Sequence, residues 1–486
     1  MAEQQRIVII GAGSAGLCTA IHLKRMGIHD FVILEKGVGV GGTWFWNQYP
    51  GAECDVPAHL YSYSFEPKVD WSQPFAGQAE MLEYLEHVTD KYDVRPHIRF
   101  ETKVEAMHWR DNDGRYDVEL AGGETLDAQI VVSAIGMFNN IVWPDIPGVE
   151  DFQGTYWHSA RWNQHHDLNG ERIGVVGIAA SAIQFVPEIV PKAGHLSLFQ
   201  RTANWVVPKE NEPYSEEQLQ AFRDDPSLVQ KNRDDIYKQW NVLTTYSDKE
   251  AMSNIEAAGL ARIGAVNDPE IRAKLTPQHP FGCRRPLFSN NYYPVFNRDN
   301  VSLVTDNIER IDAKGILTSD GQLHELDTII YSTGFYTTRY LQAFELTGRD
   351  GLKIEDAWCD GAQAHLGVNT AGFPNLFMLY GPNTNQGSIL FMLERQVEYI
   401  MRQIKRMDEE QLAWIDIRAD VQARFNEKLQ EAADNFDVWK AACGGDFYYR
   451  HTSGRMVTNW PASMEEYREL TQRENASEFE SRALAS

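Results

Sequence analysis

Two glycine turns, each set between a β-like run and a helical one, constrain this chain more than any other feature. The first reads Gly11-Ala12-Gly13-Ser14-Ala15-Gly16, and the second reads Gly177-Ile178-Ala179-Ala180-Ser181-Ala182. Glu35 stands 24 residues beyond Gly11, and Arg201 stands the same 24 beyond Gly177. Arg6 to Ile10 and Phe31 to Leu34 are short apolar runs of the kind buried in parallel sheets. Ser14 to Met26 between them has helical spacing, and Gly27 can close it. Arg172 to Val176, Ser181 to Val190 and His195 to Phe199 repeat the strand–helix–strand plan. In the first turn Gly11 makes the tight bend, Gly13 lets a pyrophosphate approach the helix N-terminus, and Gly16 lets helix and strand pack closely. An acid at the end of the second strand accepts hydrogen bonds from an unmodified ribose, whereas an arginine suits a 2′-phosphate. The reading is an α/β chain with two Rossmann-like dinucleotide-binding domains, for FAD and then NADPH. Such a chain is a flavin enzyme reduced by its own bound nicotinamide.

The rest of the sequence divides around these units. From Pro213 to Pro280 the character becomes charged and helical, and Ser215 with Gln218 forms a capping box. This predicts a helical insertion over 213–275 in the second domain. The NADPH-binding domain then spans 151–212 and 276–379, and the FAD-binding domain spans 1–150 and 380–486. Strand-like pieces recur at Val301 to Val304 and Thr328 to Tyr331, and a helix is expected from Ser388 to Met407. Residues 408–433 read as a charged, solvated helical face, and the polar stretch beyond Glu474 as a fraying tail. The formal charge of −24 argues against nucleic acid or an anionic membrane as partner. The five cysteines include no C-x-x-C pair, which excludes a dithiol centre, gives no zinc spacing and fits a reducing cytoplasm. No signal peptide is expected before the first strand, no apolar run is long enough for a membrane span, and no metal site is expected.

Three stretches carry further chemistry. Gly41 to Asp55 holds a glycine pair, two tryptophans and a Tyr49-Pro50-Gly51 turn, a compact aromatic loop suited to walling a planar ring. Thr43, Trp44, Asn47 and, further on, Tyr61 are candidate cofactor contacts. Phe152, Gly154, His158 and Trp162 lie between the two nucleotide units, where aromatic anchors could couple domain rotation to nucleotide position. Arg284 and Arg285 precede Pro286, which biases Arg285 toward extended backbone. Neighbours in extended chain point opposite ways and can serve two sites.

The run Phe152-x-Gly154-x-x-x-His158-x-x-x-Trp162 resembles the fingerprint of Baeyer–Villiger monooxygenases, flanked here by both nucleotide motifs as in that family. The likeness extends from Val8 to about Tyr467. Trp162 favours the ketone-oxidising branch over the related N- and S-oxygenating flavin enzymes, which usually carry Phe or Tyr there. Three runs look most like the 4-hydroxyacetophenone monooxygenase group: Ser181 to Thr202, Gly381-Pro382-Asn383-Thr384-Asn385 and Asn459-Trp460-Pro461. The resemblance implies insertion of one oxygen from O2 beside a ketone carbonyl to give an ester or lactone, through an oxygen adduct of reduced FAD. Oxidation of sulfides would accompany it. It implies Arg285 as the cation beside that adduct, Asp55 as its partner, and His158 as an organiser of domain position rather than an acid or base. Arg284 would meet the NADPH 2′-phosphate with Arg201. Gly177, Ser181, Gln184, Thr202 and Asn383 complete the expected cofactor contacts. The expected partners are a small ketone and O2, and the expected state is a cytoplasmic monomer or homodimer.

The chain departs from the family pattern in three places. Asn163 follows the fingerprint tryptophan, where Pro or Asp is common. Ala179 replaces the middle glycine of the second turn, so weakened rather than abolished NADPH binding is expected. Ile135 replaces the threonine that the matching linker keeps at Thr333, so the first linker should make one fewer polar contact. The competing readings are an N- or S-oxygenating flavin monooxygenase, an idle flavoprotein acting as a binding or redox-sensing module, and an NADPH oxidase.

Overall fold

The chain forms two parallel-centred sheets, each grown around one glycine turn. The computed structural model describes residues 3–440 and 449–484. In the first sheet the strand Glu3–Ile10 lies between Phe31–Leu34 and Thr125–Ser133, parallel to both. Its Ile7, Val8 and Ile9 are fully buried, as the short apolar run predicts. Ile98–Arg99 extends one side, and Leu376–Met378 pairs with the end of Thr125–Ser133. Val104–Arg110 and Arg115–Leu120 add an antiparallel meander, with Glu345–Thr347 on its outer edge. The helix Ser14–Arg25 follows the first turn, and Gly27 takes a positive φ of 77° just beyond it.

The second sheet has five strands, all parallel. Their order is Val301–Val304, His195–Phe199, Arg172–Val176, Thr328–Tyr331 and Thr155–His158. The helix Ala180–Ile189 joins its two central strands. Both glycine turns therefore sit at the carboxyl ends of central parallel strands, where ligands bind in doubly wound sheets.

Between the sheets' segments lie the helices Glu216–Asp224, Ser227–Leu243, Lys249–Ile263 and Pro269–Leu275. Ser215 and Gln218 make the expected capping box. Asp248 and Asp268 cap the third and fourth helices with their carboxylates. Within 276–290 the short strand Leu287–Phe288 pairs in parallel with Val206–Val207.

The region after 407 differs from the expectation of a solvated helical face and a fraying tail. The long helix Ile389–Glu409 is followed by a strand, Leu412–Ile417, and only then by the helix Ala419–Asn435. Phe479–Ala483, in the supposed tail, pairs antiparallel with that strand. Apolar residues at 412, 413, 415 and 417 are buried, and burial of a short apolar run overrides the charged composition around it. Among the described residues no helix is long and apolar enough to cross a membrane.

Candidate functional site

A single cavity of about 1460 Å³ is lined by both glycine turns and by the first turns of the helices that follow them. Gly11 has φ 106°, and a Cβ there would lie 2.6 Å from Ala134 O, so the bend admits no side chain. At Gly16 a Cβ would lie 1.9 Å from Gly11 O, which is the close helix–strand packing expected of the third glycine. Gly13 is different. Its φ is −80° and its Cβ would meet only Gly42 Cα, at 3.4 Å. The fold itself does not demand glycine at 13, but a bare helix N-terminus facing the cavity does. These features fit a pyrophosphate.

Glu35 ends the second strand, 6% exposed. Its Oε2 accepts from Ala12 N–H at 2.8 Å and its Oε1 from Gly37 N–H at 2.7 Å. Each oxygen keeps a lone pair, which suits ribose hydroxyls. Across the cavity, Gly177 has φ 98° and would bring a Cβ within 2.5 Å of Ser332 O. Ala179 sits at the cap of the next helix with φ −76° and ψ −171°, extended backbone open to any residue. It is exposed on the cavity wall, so its methyl bears on a ligand rather than on the fold. Ser181, Gln184, Arg201, Thr202 and Arg284 line the same region. No carboxylate pairs with Arg201 or Arg284 among the described residues, which leaves both cations for an anionic ligand. We expect Arg201→Ala to narrow the kcat/KM preference for NADPH over NADH by about tenfold to a hundredfold, from 1.5–3 kcal/mol of charged hydrogen bonding. An unchanged ratio overturns that role.

The aromatic loop closes the first turn. Gly42, with φ 56°, caps the short helix Thr43–Trp46 and lies against Gly13. Trp44 packs edge-on to Tyr61, with ring centroids 5.9 Å apart, and the Asn47 amide donates to Thr43 O. The loop ends at Asp55. There Arg285 Nη2 donates to Asp55 Oδ2 at 3.0 Å. The Arg285 side chain is 46% exposed, into the cavity, while Asp55 is 9% exposed. Burial works against the Arg285 charge, but Asp55 and nearby Tyr449 and Tyr380 outweigh it and hold the pKa above that of free arginine. Asp55 Oδ1 is buried with no hydrogen-bond partner among the described residues, an acceptor left over for a ligand amide.

Two expected site residues lie off the cavity wall besides Gly16. Asn383 is 3% exposed, and its amide donates to Met456 O and Asn459 O. It ties the 381–385 loop to the 456–459 segment instead of presenting its side chain to a ligand. His158 ends the strand Thr155–His158 at 1% exposure. Its Nδ1 accepts from Ala160 N–H, and its ring packs edge-on against Trp143 and Phe335. Burial first, then Arg161, pushes its pKa down to about 4. The ring is neutral at working pH and holds the linker at 334–335. Because the folded pKa lies below the unfolded 6.5, its stabilisation is full above pH 6.5 and is lost as pH falls toward 4. The full difference is about 3 kcal/mol at 1.36 kcal/mol per unit. Unfolding of His158→Gln is expected to show a shallower acid slope over that range, and parallel slopes overturn the assignment.

Sequence reading passed over several wall residues. Trp240, Leu243 and Tyr246 reach the cavity from the helical insertion, beside Phe281 and Tyr449. Tyr380 OH donates to Asn385 Oδ1, and the Asn385 amide donates to Asn459 Oδ1, both on the wall. The runs at 381–385 and 459–461 carry part of the family resemblance, but no spacing in the sequence joins them. Thr333 donates to Val142 O, a bond that Ile135 cannot make in its own linker.

Comparison with known proteins gives a consistent picture. Residues 8–239 match the family model described as pyridine nucleotide-disulphide oxidoreductase. A Baeyer–Villiger monooxygenase of Pseudomonas aeruginosa is 38% identical over 483 residues, covering 98% of this chain and 92% of that protein. One from Streptomyces coelicolor is 38% identical over 486 residues, covering 98% and 93%. A cyclohexanone monooxygenase of Rhodococcus sp. Phi1, solved with NADP+, superposes with a TM-score of 0.89 at 29% identity, covering the whole of both chains. An oxidised steroid monooxygenase bound to NADP superposes with a TM-score of 0.88 at 30% identity, covering 99% of each chain.

Proposed function

The chain belongs to the Baeyer–Villiger monooxygenases, and on that premise we propose how its own residues carry the reaction. It is an FAD-dependent monooxygenase reduced by NADPH. Bound FAD and NADPH supply the electrons and the activation of dioxygen. The first glycine turn and Glu35 hold FAD by its pyrophosphate and ribose. The second turn, with Arg201, Thr202 and Arg284, holds NADPH. The observation that carries the reading is the Arg285–Asp55 pair, opening into the cavity that both turns line. A guanidinium does not lose its proton in a protein, so Arg285 keeps a fixed positive charge there. That charge favours a deprotonated oxygen nucleophile and stabilises the negative charge that develops on the ketone oxygen during attack. Asp55 orients the guanidinium. The apolar and aromatic wall from Trp240, Leu243, Tyr246 and Phe281 excludes water from the ketone side.

The product is an ester or lactone from a small ketone, and sulfides are secondary substrates. A 4-hydroxyacetophenone-like preference rests on the sequence runs alone. The cytoplasmic setting and the monomeric or homodimeric state belong to the same proposal. The test is a panel of aromatic and aliphatic ketones with NADPH and air, scored by mass for one added oxygen. Ester or lactone from at least one ketone supports the reading. NADPH consumption that yields only hydrogen peroxide across the panel overturns it.

A further inference from the structure

The loop that ends in Asp55 carries a second carboxylate, Glu53, which the reaction above does not use. Its Oε1 lies 2.5 Å from Lys209 Nζ, and the Lys209 side chain is 3% exposed. Its Oε2 accepts from the Asn211 amide at 3.0 Å, and Asn211 Oδ1 accepts from Phe75 N–H at 2.8 Å. The main chain of Glu53 is held too, since the Gln184 amide donates to Glu53 O at 3.1 Å. Tyr49 OH donates to Gln184 Oε1 at 2.9 Å. Loop 49–55 follows the first glycine turn, while Gln184, Lys209 and Asn211 follow the second. The ion pair therefore crosses between the two units.

The two cations on this loop come from one ribbon. Val206–Val207 pairs with Leu287–Phe288, and side-chain bonds tie the two segments together beyond each end of that pairing. Asn204 donates to Arg285 O at one end, while Lys209 and Asn290 exchange backbone–side-chain bonds at the other. Arg285 and Lys209 thus mark opposite ends of the ribbon, roughly five residues or 16 Å apart at 3.3 Å per residue. Both lean onto carboxylates only two residues apart. With both held, the loop cannot slide along the ribbon without breaking a charge pair. With Lys209 released, the Arg285–Asp55 pair is the one ionic tether left to the loop among the described residues, and its half-exposed guanidinium can swing.

We propose that the Glu53–Lys209 pair, with its lysine buried and its glutamate partly exposed, is a latch between the two nucleotide-binding units that sets the position of Asp55, and through it of the Arg285 guanidinium. Glu53 and Lys209 are positioning residues. The inference rests on the oxygen-insertion reading above. It is tested in the holoenzyme with Lys209→Met, Lys209→Arg and Glu53→Gln, the last keeping the side-chain shape.

In Lys209→Met, and likewise in Glu53→Gln, product formed per NADPH is expected to fall at least threefold, with a matching rise in hydrogen peroxide. The ketone KM should stay within twofold while kcat falls. Lys209→Arg should restore product per NADPH to within twofold of the parent. Hydrogen–deuterium exchange gives a readout apart from activity. Peptides over 49–55 and 284–288 should exchange at least tenfold faster in Lys209→Met, while peptides over 172–176 stay unchanged. Parental partition between product and peroxide in both charge-removing variants overturns the latch. So does unchanged exchange at 284–288, or a loss that Lys209→Arg does not recover. A parent enzyme that gives no oxygen-inserted product defeats the oxygen-insertion reading instead, and the exchange arm still decides whether the latch exists.

Discussion

Replacing Arg285 with alanine is expected to lower ester or lactone formation at least about a thousandfold while leaving flavin reduction by NADPH within about tenfold of the parent. Loss of one donor to a developing oxyanion costs about 2.7–4 kcal/mol, and here the same group also carries the fixed positive charge. The two steps separate because the Arg201 and Arg284 cations and the second glycine turn stay in place for NADPH. Arg285 opens into the cavity at 46% exposure, so its truncation leaves no buried void. It does leave Asp55 as an unpaired carboxylate that is 9% exposed, which draws the loop toward solvent. Arg285→Lys separates charge from geometry, because an ammonium keeps the charge without the planar fork. The measurements are anaerobic flavin bleaching by NADPH and product mass under air. Parental ester yield in Arg285→Ala ends the oxygen-insertion assignment.

The second large effect concerns the first glycine turn, where two substitutions of equal size should fail in different ways. Gly13→Ala is expected to give a folded protein that has lost at least about nine-tenths of its FAD. The new methyl meets only Gly42 Cα at 3.4 Å, so the chain accommodates it, but it covers the helix N-terminus that a pyrophosphate needs. Gly16→Ala is expected to fail at folding, because its Cβ would lie 1.9 Å from the main-chain oxygen of Gly11. No side-chain rotation relieves that contact, and the helix must move off the central strand. Soluble yield, circular dichroism and the ratio of flavin to protein absorbance distinguish the two. Full flavin content in Gly13→Ala would place the pyrophosphate elsewhere.

The opposed charges at Glu35 and Arg201 were legible because a strand–turn–helix–strand unit has a fixed length, and spacing then carries geometry. The strands Arg172–Val176 and His195–Phe199 and the capping box at Ser215 follow from the same local rules. The strand Leu412–Ile417 was not legible, because its partner Phe479–Ala483 lies more than sixty residues away and no local signal names it. Asn383 is a cofactor contact only by family resemblance, and in the structure the 456–459 segment takes its amide.

What the sequence determined by itself was the pair of nucleotide folds and the chemical kind of each site, since glycine, acid and arginine act there through backbone geometry and charge at short range. What only the tertiary structure decided was how the units meet. The pairing of Arg285 with Asp55, of Lys209 with Glu53 and of Gln184 with the loop before them joins residues 131 to 230 positions apart. Such contacts depend on where two separately folded sheets come to rest, and that is fixed by packing across the whole chain rather than by any local pattern.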